Sequence, residues 1–171
     1  MSRTVIRTLA GAVLAATLLA GCSVHPGVAA VVGDRSISQS ELQQTYAQLK
    51  PMLANSDPAN LLSGLITAPD VVAAAEQNGV GVSDDDAVTL LNSIVTQQKL
   101  PAVSEWTPDA VLLARSQLAA QALQKLDQAT SVFAALSKTL AAHDIQVNPQ
   151  YGTWSGGQIT SAPPAWIASS S

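Results

Sequence analysis

The chain has 171 residues, 8 Lys+Arg against 12 Asp+Glu for a net charge of −4, and a single cysteine. That length fits one domain of ordinary size. The acidic balance lacks the basic footprint of a nucleic-acid binder, and one cysteine makes neither an internal disulfide nor a thiolate cluster. Apolar residues are 47% of the chain, aromatics only 4%, and 29 residues are alanine, which favours helices packed through small side chains over a β-sandwich.

Residues 1–21 read as an export signal. Arg3 and Arg7 form a short positive region, and Leu9 to Ala20 form an uncharged, mostly apolar run. The run is short of the ~20 apolar residues that a bilayer span takes. It ends in Leu19-Ala20-Gly21-Cys22, which resembles the lipobox of bacterial lipoproteins. The resemblance implies cleavage between Gly21 and Cys22 and a diacylglycerol on the Cys22 thiol, with palmitate-like chains holding the protein to membrane lipid. A plain secretory signal or a retained membrane helix are the rival readings. Loss of Arg3 and Arg7 leaves 150 residues with a net charge of −6. Two acyl chains anchor a protein stably without a transmembrane helix. The expected location is the cell envelope, on the extracytoplasmic face of the cell membrane. Residues 22–27 form a short tether, 28–167 the domain, and 168–171 a frayed tail.

Val28 to Val32 reads as a short strand, stopped by the Gly33-Asp34 turn and followed by Arg35-Ser36-Ile37. Ser38 with Glu41 three residues later has the form of a capping box. Leu42, Tyr46 and Leu49 then make one apolar stripe of a helix that Pro51 bends or ends. Asp57-Pro58 is a second helix start. Because Pro69 interrupts that segment, two short helices are expected, near 58–67 and 69–78, closed by Asn78-Gly79. Ser83 and Asp86 form another capping box, ahead of a helix through Val88, Leu91 and Val95 that ends near Lys99-Leu100-Pro101.

Thr107-Pro108-Asp109 opens the last helix. From Asp109 to about Ala142 there is neither proline nor glycine. Leu112, Ala119, Ala122, Leu126, Ala129, Phe133, Leu136 and Leu140 keep a seven-residue rhythm broken only by Arg115. One long spine helix is expected, about 50 Å at 1.5 Å per residue. A self-associating coiled coil is the alternative use of that seam, although its three alanines favour a monomer. Asp144 to Val147 alternates as a half-exposed strand does, and Val28–Val32 is expected to pair with Ile145–Asn148, since a lone strand leaves its backbone groups unpaired. The fold class is therefore mainly α, with a small two-stranded β element joining the N- and C-terminal segments.

The two ends carry a family resemblance. Val31-Val32-Gly33-Asp34-Arg35-Ser36-Ile37-Ser38-Gln39-Ser40-Glu41-Leu42 resembles the opening of the SurA/PrsA-type extracytoplasmic foldases. Val147-Asn148-Pro149-Gln150-Tyr151-Gly152-Thr153-Trp154 is similar to the close of bacterial lipoproteins with that domain, with Gln150 where arginine is usual. The motif residues are Gly33, Ile37, Glu41, Leu42, Asn148, Pro149, Tyr151, Gly152 and Trp154, all in structural roles. The resemblance implies a helical SurA N-terminal-like chaperone domain. The inserted or appended parvulin prolyl-isomerase domain of full-length foldases has no room here, and the histidine pair of its site is missing, since His25 lies in the tether and His143 at a helix end.

No catalytic set is legible, and no enzyme, metal or cofactor is expected. His143 suits a helix C-terminus. Asp84-Asp85-Asp86 suits a helix start and lacks the spaced ligands and glycine of a calcium loop. Gly156-Gly157 reads as a turn. Trp106, Trp154 and Trp166 either pin irregular segments to the helices or line an apolar groove for extended peptides, as aromatic anchors do, which makes them candidate client-binding residues. Two functions follow: a membrane-anchored chaperone-like lipoprotein that binds exported or unfolded polypeptides without prolyl-isomerase activity, or a non-catalytic adaptor for one cell-envelope protein.

Overall fold

The computed structural model describes residues 26–53 and 57–160. The expected lipidation and cleavage residues Gly21 and Cys22, His25, and the tail with Trp166 lie outside the described residues. The N-terminal strand β1 (Val28–Val32) turns through Gly33-Asp34 into β2 (Arg35–Ser38), and β3 (Ile145–Val147) lies antiparallel on its other side. The strand order is β2-β1-β3. The expected pairing of the two chain ends is therefore present, with Ala30 opposite Val147 and Val32 opposite Ile145. It is widened to three strands by β2. Two further backbone bonds of 2.9 Å extend it, Gly33 N–H to the Asp144 carbonyl and Asn148 N–H to the Ala29 carbonyl.

Helix α1 (Gln39–Leu49) starts at the Ser38 capping box: Glu41 N–H donates to Ser38 Oγ at 3.1 Å, and Ser38 N–H to Glu41 Oε2 at 3.0 Å. Two orphan amides are satisfied at once. Pro51 converts the end of α1 into a 3₁₀ turn, Lys50–Met52. Helix α2 (Pro58–Gln77) begins at Asp57, whose Oδ1 accepts from Ala59 N–H at 2.8 Å.

The expected break at Pro69 does not occur. Helix α2 runs through it as one 20-residue helix. A proline has no N–H for the carbonyl four residues back and crowds that turn. Here Arg35 Nη2 donates to the carbonyls of Leu65 at 3.1 Å and Ile66 at 3.2 Å, so β2 supplies what the helix lost. Leu65 and Ile66 are both fully buried, where an unpaired carbonyl is costly.

Helix α3 (Asp84–Gln97) starts at the expected box, with Ser83 Oγ donating to Asp86 Oδ2 at 2.6 Å. Its end is a Schellman turn: Leu100 N–H reaches the Val95 carbonyl and Lys99 N–H that of Thr96, with Lys99 at φ 56°. Helix α4 (Pro108–Gln124) is capped by Thr107, and α5 (Ala129–Ala142) follows.

One long spine helix is therefore a misreading of 109–142. The chain turns at Lys125 to Gln128 although no glycine or proline stands there. Lys125 and Leu126 N–H bond only three residues back, to the Ala122 and Leu123 carbonyls. The turn folds α5 onto the C-terminal half of α2, where Val132 packs with Ala75, Ala119 and Leu123, and Phe133 lies against them. A straight helix would carry Val132 and Phe133 away from these partners, so burial overrides local propensity. The break also removes the 34-residue seam that a coiled coil needed. Arg115, the odd residue of that seam, ties three elements together. It meets Glu76 at 2.9 Å, Asp84 at 3.0 Å and the Val82 carbonyl at 2.9 Å.

The Asn148-to-Trp154 segment is a tight turn leading into a hairpin, β4 (Thr153–Ser155) and β5 (Gln158–Thr160) around Gly156-Gly157. Asn148 carries the turn: Nδ2 donates to the Val28 carbonyl at 3.1 Å and Oδ1 accepts from Gln150 N–H at 3.1 Å. Gly152 has φ 122°, and a Cβ there would lie 2.4 Å from the Thr160 carbonyl oxygen. Only glycine fits. Among the described residues no helix is long and apolar enough to cross a membrane.

Candidate functional site

An open groove of about 770 Å³ lies where the end of α1 and its 3₁₀ turn meet α2, α3 and α4. Its walls are aliphatic. Leu49, Met52 and Leu53 come from the first corner, Leu61 from α2, Leu90, Leu91 and Ile94 from α3, and Leu113 from α4. The sequence builds it by placing a second apolar stripe beside the core stripe of α3. Leu91 and Val95 are buried in the domain, and Leu90 and Ile94, one position earlier in each turn, stay partly exposed. Leu53 is 44% exposed at the rim, a state that costs hydrophobic free energy unless something covers it.

Gly64 sets the depth. A Cβ on it would stand 2.9 Å from Leu113 Cδ2, so α2 and α4 approach closely at the floor and nothing protrudes there. The polar lining is mostly neutral: Asn60 from α2, and Ser116, Gln117 and Gln121 from α4. Asp57 is the one carboxylate among the lining residues, and it is engaged in capping α2. Among the described residues no lysine or arginine lines the groove. The lining thus presents aliphatic surface for side chains and uncharged amides able to bond an extended backbone, the composition usual in sites for apolar ligands.

The two described tryptophans, Trp106 and Trp154, do not line this groove. Trp106 packs against the main core and donates its indole N–H to Asn92 Oδ1 at 3.0 Å. Trp154, in the middle of β4, pairs with Ile159 and lines a separate cleft of about 260 Å³ with Ile145, Val147, Pro149 and Gly152. Both therefore pin loops to the domain, and Trp166 lies outside the described residues. The motif residues are likewise scaffolding. Ile37 and Leu42 sit in the core, Tyr151 packs against it, Gly33 turns β1 into β2, and Glu41 caps α1.

Leu53, Leu90, Ile94 and Leu113 are the residues that sequence reasoning passed over. The Leu90/Ile94 pair, four apart and beside the buried stripe, was the available signal.

Among the described residues three carboxylates, Glu41, Asp86 and Asp109, are shifted from their ordinary range. A cavity of about 80 Å³ at the start of α4 brings Glu41, Thr45 and Asp109 together. Burial first, and the Glu41 charge second, push the Asp109 carboxyl above its ordinary range, with Arg35 opposing them. Thr45, fully buried, bonds Thr107 Oγ1 at 2.9 Å. Hydrogen bonds from the Ser38 hydroxyl and amide hold Glu41 below the usual carboxylate range, and Ser83 does the same for Asp86. His143 Nε2 lies 3.1 Å from both oxygens of Asp70 and so joins the end of α5 to α2. Among the described residues no three His, Cys, Asp or Glu side chains are grouped as metal ligands would be.

No protein-family model, curated protein or solved structure matches the chain.

Proposed function

We propose that the protein is a lipid-anchored, chaperone-like lipoprotein of the cell envelope that holds exported or unfolded polypeptides on the extracytoplasmic face of the membrane, without catalysis. The observation that carries this reading is the aliphatic groove between α2, α3 and α4, with its exposed Leu53 rim. An unfolded segment offers side chains that bury into such a surface at about 25 cal/mol per Å², and an uncharged amide rim bonds backbone without selecting a sequence. Broad, weak retention of this kind needs no reacting group. The N-terminal lipobox supports the anchor and its Cys22, and the end motifs support the foldase-type scaffold.

Suppression of aggregation by a denatured secreted protein tests the reading. The full chain is expected to suppress aggregation at several-fold molar excess, and Leu53→Asp, an exposed rim position, to lose most of that effect with an unchanged melting temperature. No suppression, or equal suppression by Leu53→Asp, would sink it. Recovery of one stoichiometric envelope protein in place of a spread of clients would favour the adaptor reading instead.

A further inference from the structure

We infer that the groove has a resident ligand in the same chain, the apolar triplet Ala165-Trp166-Ile167, which an external polypeptide must displace. The inference rests on the groove being a polypeptide site and adds how that site is regulated. The first support is where the described chain stops. Strand β5 ends at Thr160 against the flank of the groove: Ile159 N–H donates to Ser63 Oγ at 2.8 Å. Ser63 is the next residue to Gly64 and stands three after Asn60, both of which line the groove. Residues three apart are neighbours on a helix surface, so the last strand adjoins the rim.

Reach is the second support. The segment 161–171 lies outside the described residues. From Thr160 to Trp166 is six residues, or about 20 Å of extended chain at ~3.3 Å each. A helix with its side chains is about 10–12 Å across, so Trp166 reaches from the Ser63 flank over the rim. Chemistry is the third. The segment carries no charged side chain, and among the described residues the groove offers no cation and only the already engaged Asp57. Docking therefore desolvates no lone charge. Pro163-Pro164 favours an extended backbone, which reduces the ordering cost. A tryptophan buries about 150–250 Å², and the tether makes docking intramolecular, with an effective concentration in the millimolar range.

The test compares the full chain with its Trp166→Ala variant, which leaves every described residue unchanged. The difference between their emission spectra is the emission of Trp166. Expected is a short-wavelength band shielded from iodide, which becomes solvent-like when the same pair is compared on a Leu53→Asp background. Trp166→Ala is also expected to bind 1-anilinonaphthalene-8-sulfonate about 10-fold more tightly, as a segment seated nine-tenths of the time requires. Solvent-like emission in the Leu53 protein, emission indifferent to Leu53→Asp, or unchanged dye affinity would overturn the inference. So would shielding that appears only at high protein concentration, which would place the segment in a second copy. None of these readouts uses a client, so failure to retain unfolded protein while Trp166 is shielded counts against the chaperone reading alone.

Discussion

Two hydrophobic clusters of unlike build hold the described domain together. The larger unites the sheet, α1, the N-terminal half of α2, α3, the start of α4 and the β4–β5 hairpin through Leu42, Leu62, Leu65 and Ile66, all fully buried. The smaller holds α5 to the second half of α2 and the end of α4 through Ala75, Ala119, Leu123 and Val132. Two of its four buried residues are alanines, and beyond them α5 is tied down by the His143–Asp70 contact. Hydrophobic stabilisation follows buried apolar area, so the two clusters do not share stability evenly. Elements with few buried contacts open first. The groove belongs to the larger cluster, and α5 behaves as an attached strut.

That contrast is broken most severely by Leu62→Ala. Removing a fully buried leucine from the large cluster is expected to cost about 4 kcal/mol, read as a lower urea midpoint and loss of helical signal in a single transition. Leu123→Ala removes a leucine equally hidden. The expected cost is smaller, about 2 kcal/mol at the low end of such changes, because α5 detaches and relieves the void. Amide exchange should speed up in 129–142 and stay slow in 58–68; uniform acceleration would show the two clusters to be one unit.

Arg35→Ala acts at the junction, where α2 passes from one cluster to the other. Leaving the Leu65 carbonyl without a donor is expected to cost about 1.5 kcal/mol. The double change with Pro69→Ala should cost less than Arg35→Ala alone, since an alanine restores the N–H that Leu65 lacks. Additive costs in that cycle would mean the guanidinium does not replace the missing donor.

The smallest effect is a pH slope within the large cluster. The folded protein raises the Asp109 carboxyl, so its contribution is complete below the unfolded value and is lost as pH rises through the folded one. Glu41 and Asp86, both lowered, contribute above the unfolded value and lose that contribution as pH falls through the folded one. Asp109→Asn is therefore expected to gain stability relative to the parent as pH rises from about 4 towards neutral. Melting curves across that window check it; a constant difference would contradict the burial of the carboxylate.

Much of the larger cluster was legible because its punctuation is local. Ser38-x-x-Glu41 and Ser83-x-x-Asp86 mark their helices, and the alternation at Asp144 to Val147 implied the partner strand at Val28 to Val32. The misreadings share a different cause. Pro69 signals a break to any local rule, and Arg35, 34 residues earlier in the chain, cancels it. Nothing at Lys125 to Gln128 signals a turn, and the burial of Val132 and Phe133 against α2 imposes one. The seam counted along 109–142 covers only part of the buried face: Ala119 and Leu136 are buried, but so are Leu123 and Val132, which lie outside it. The groove was half legible: the apolar periodicity of α3 was visible, but its second stripe, Leu90 and Ile94, was not read as a surface awaiting a ligand.

Hydrogen exchange of the full chain with and without a denatured secreted protein tests the groove most directly. The account predicts added protection at 49–53, 58–64, 90–94 and 113–121, with 129–142 unchanged. Protection confined to α5 or to the β4–β5 hairpin, or none anywhere, would contradict it.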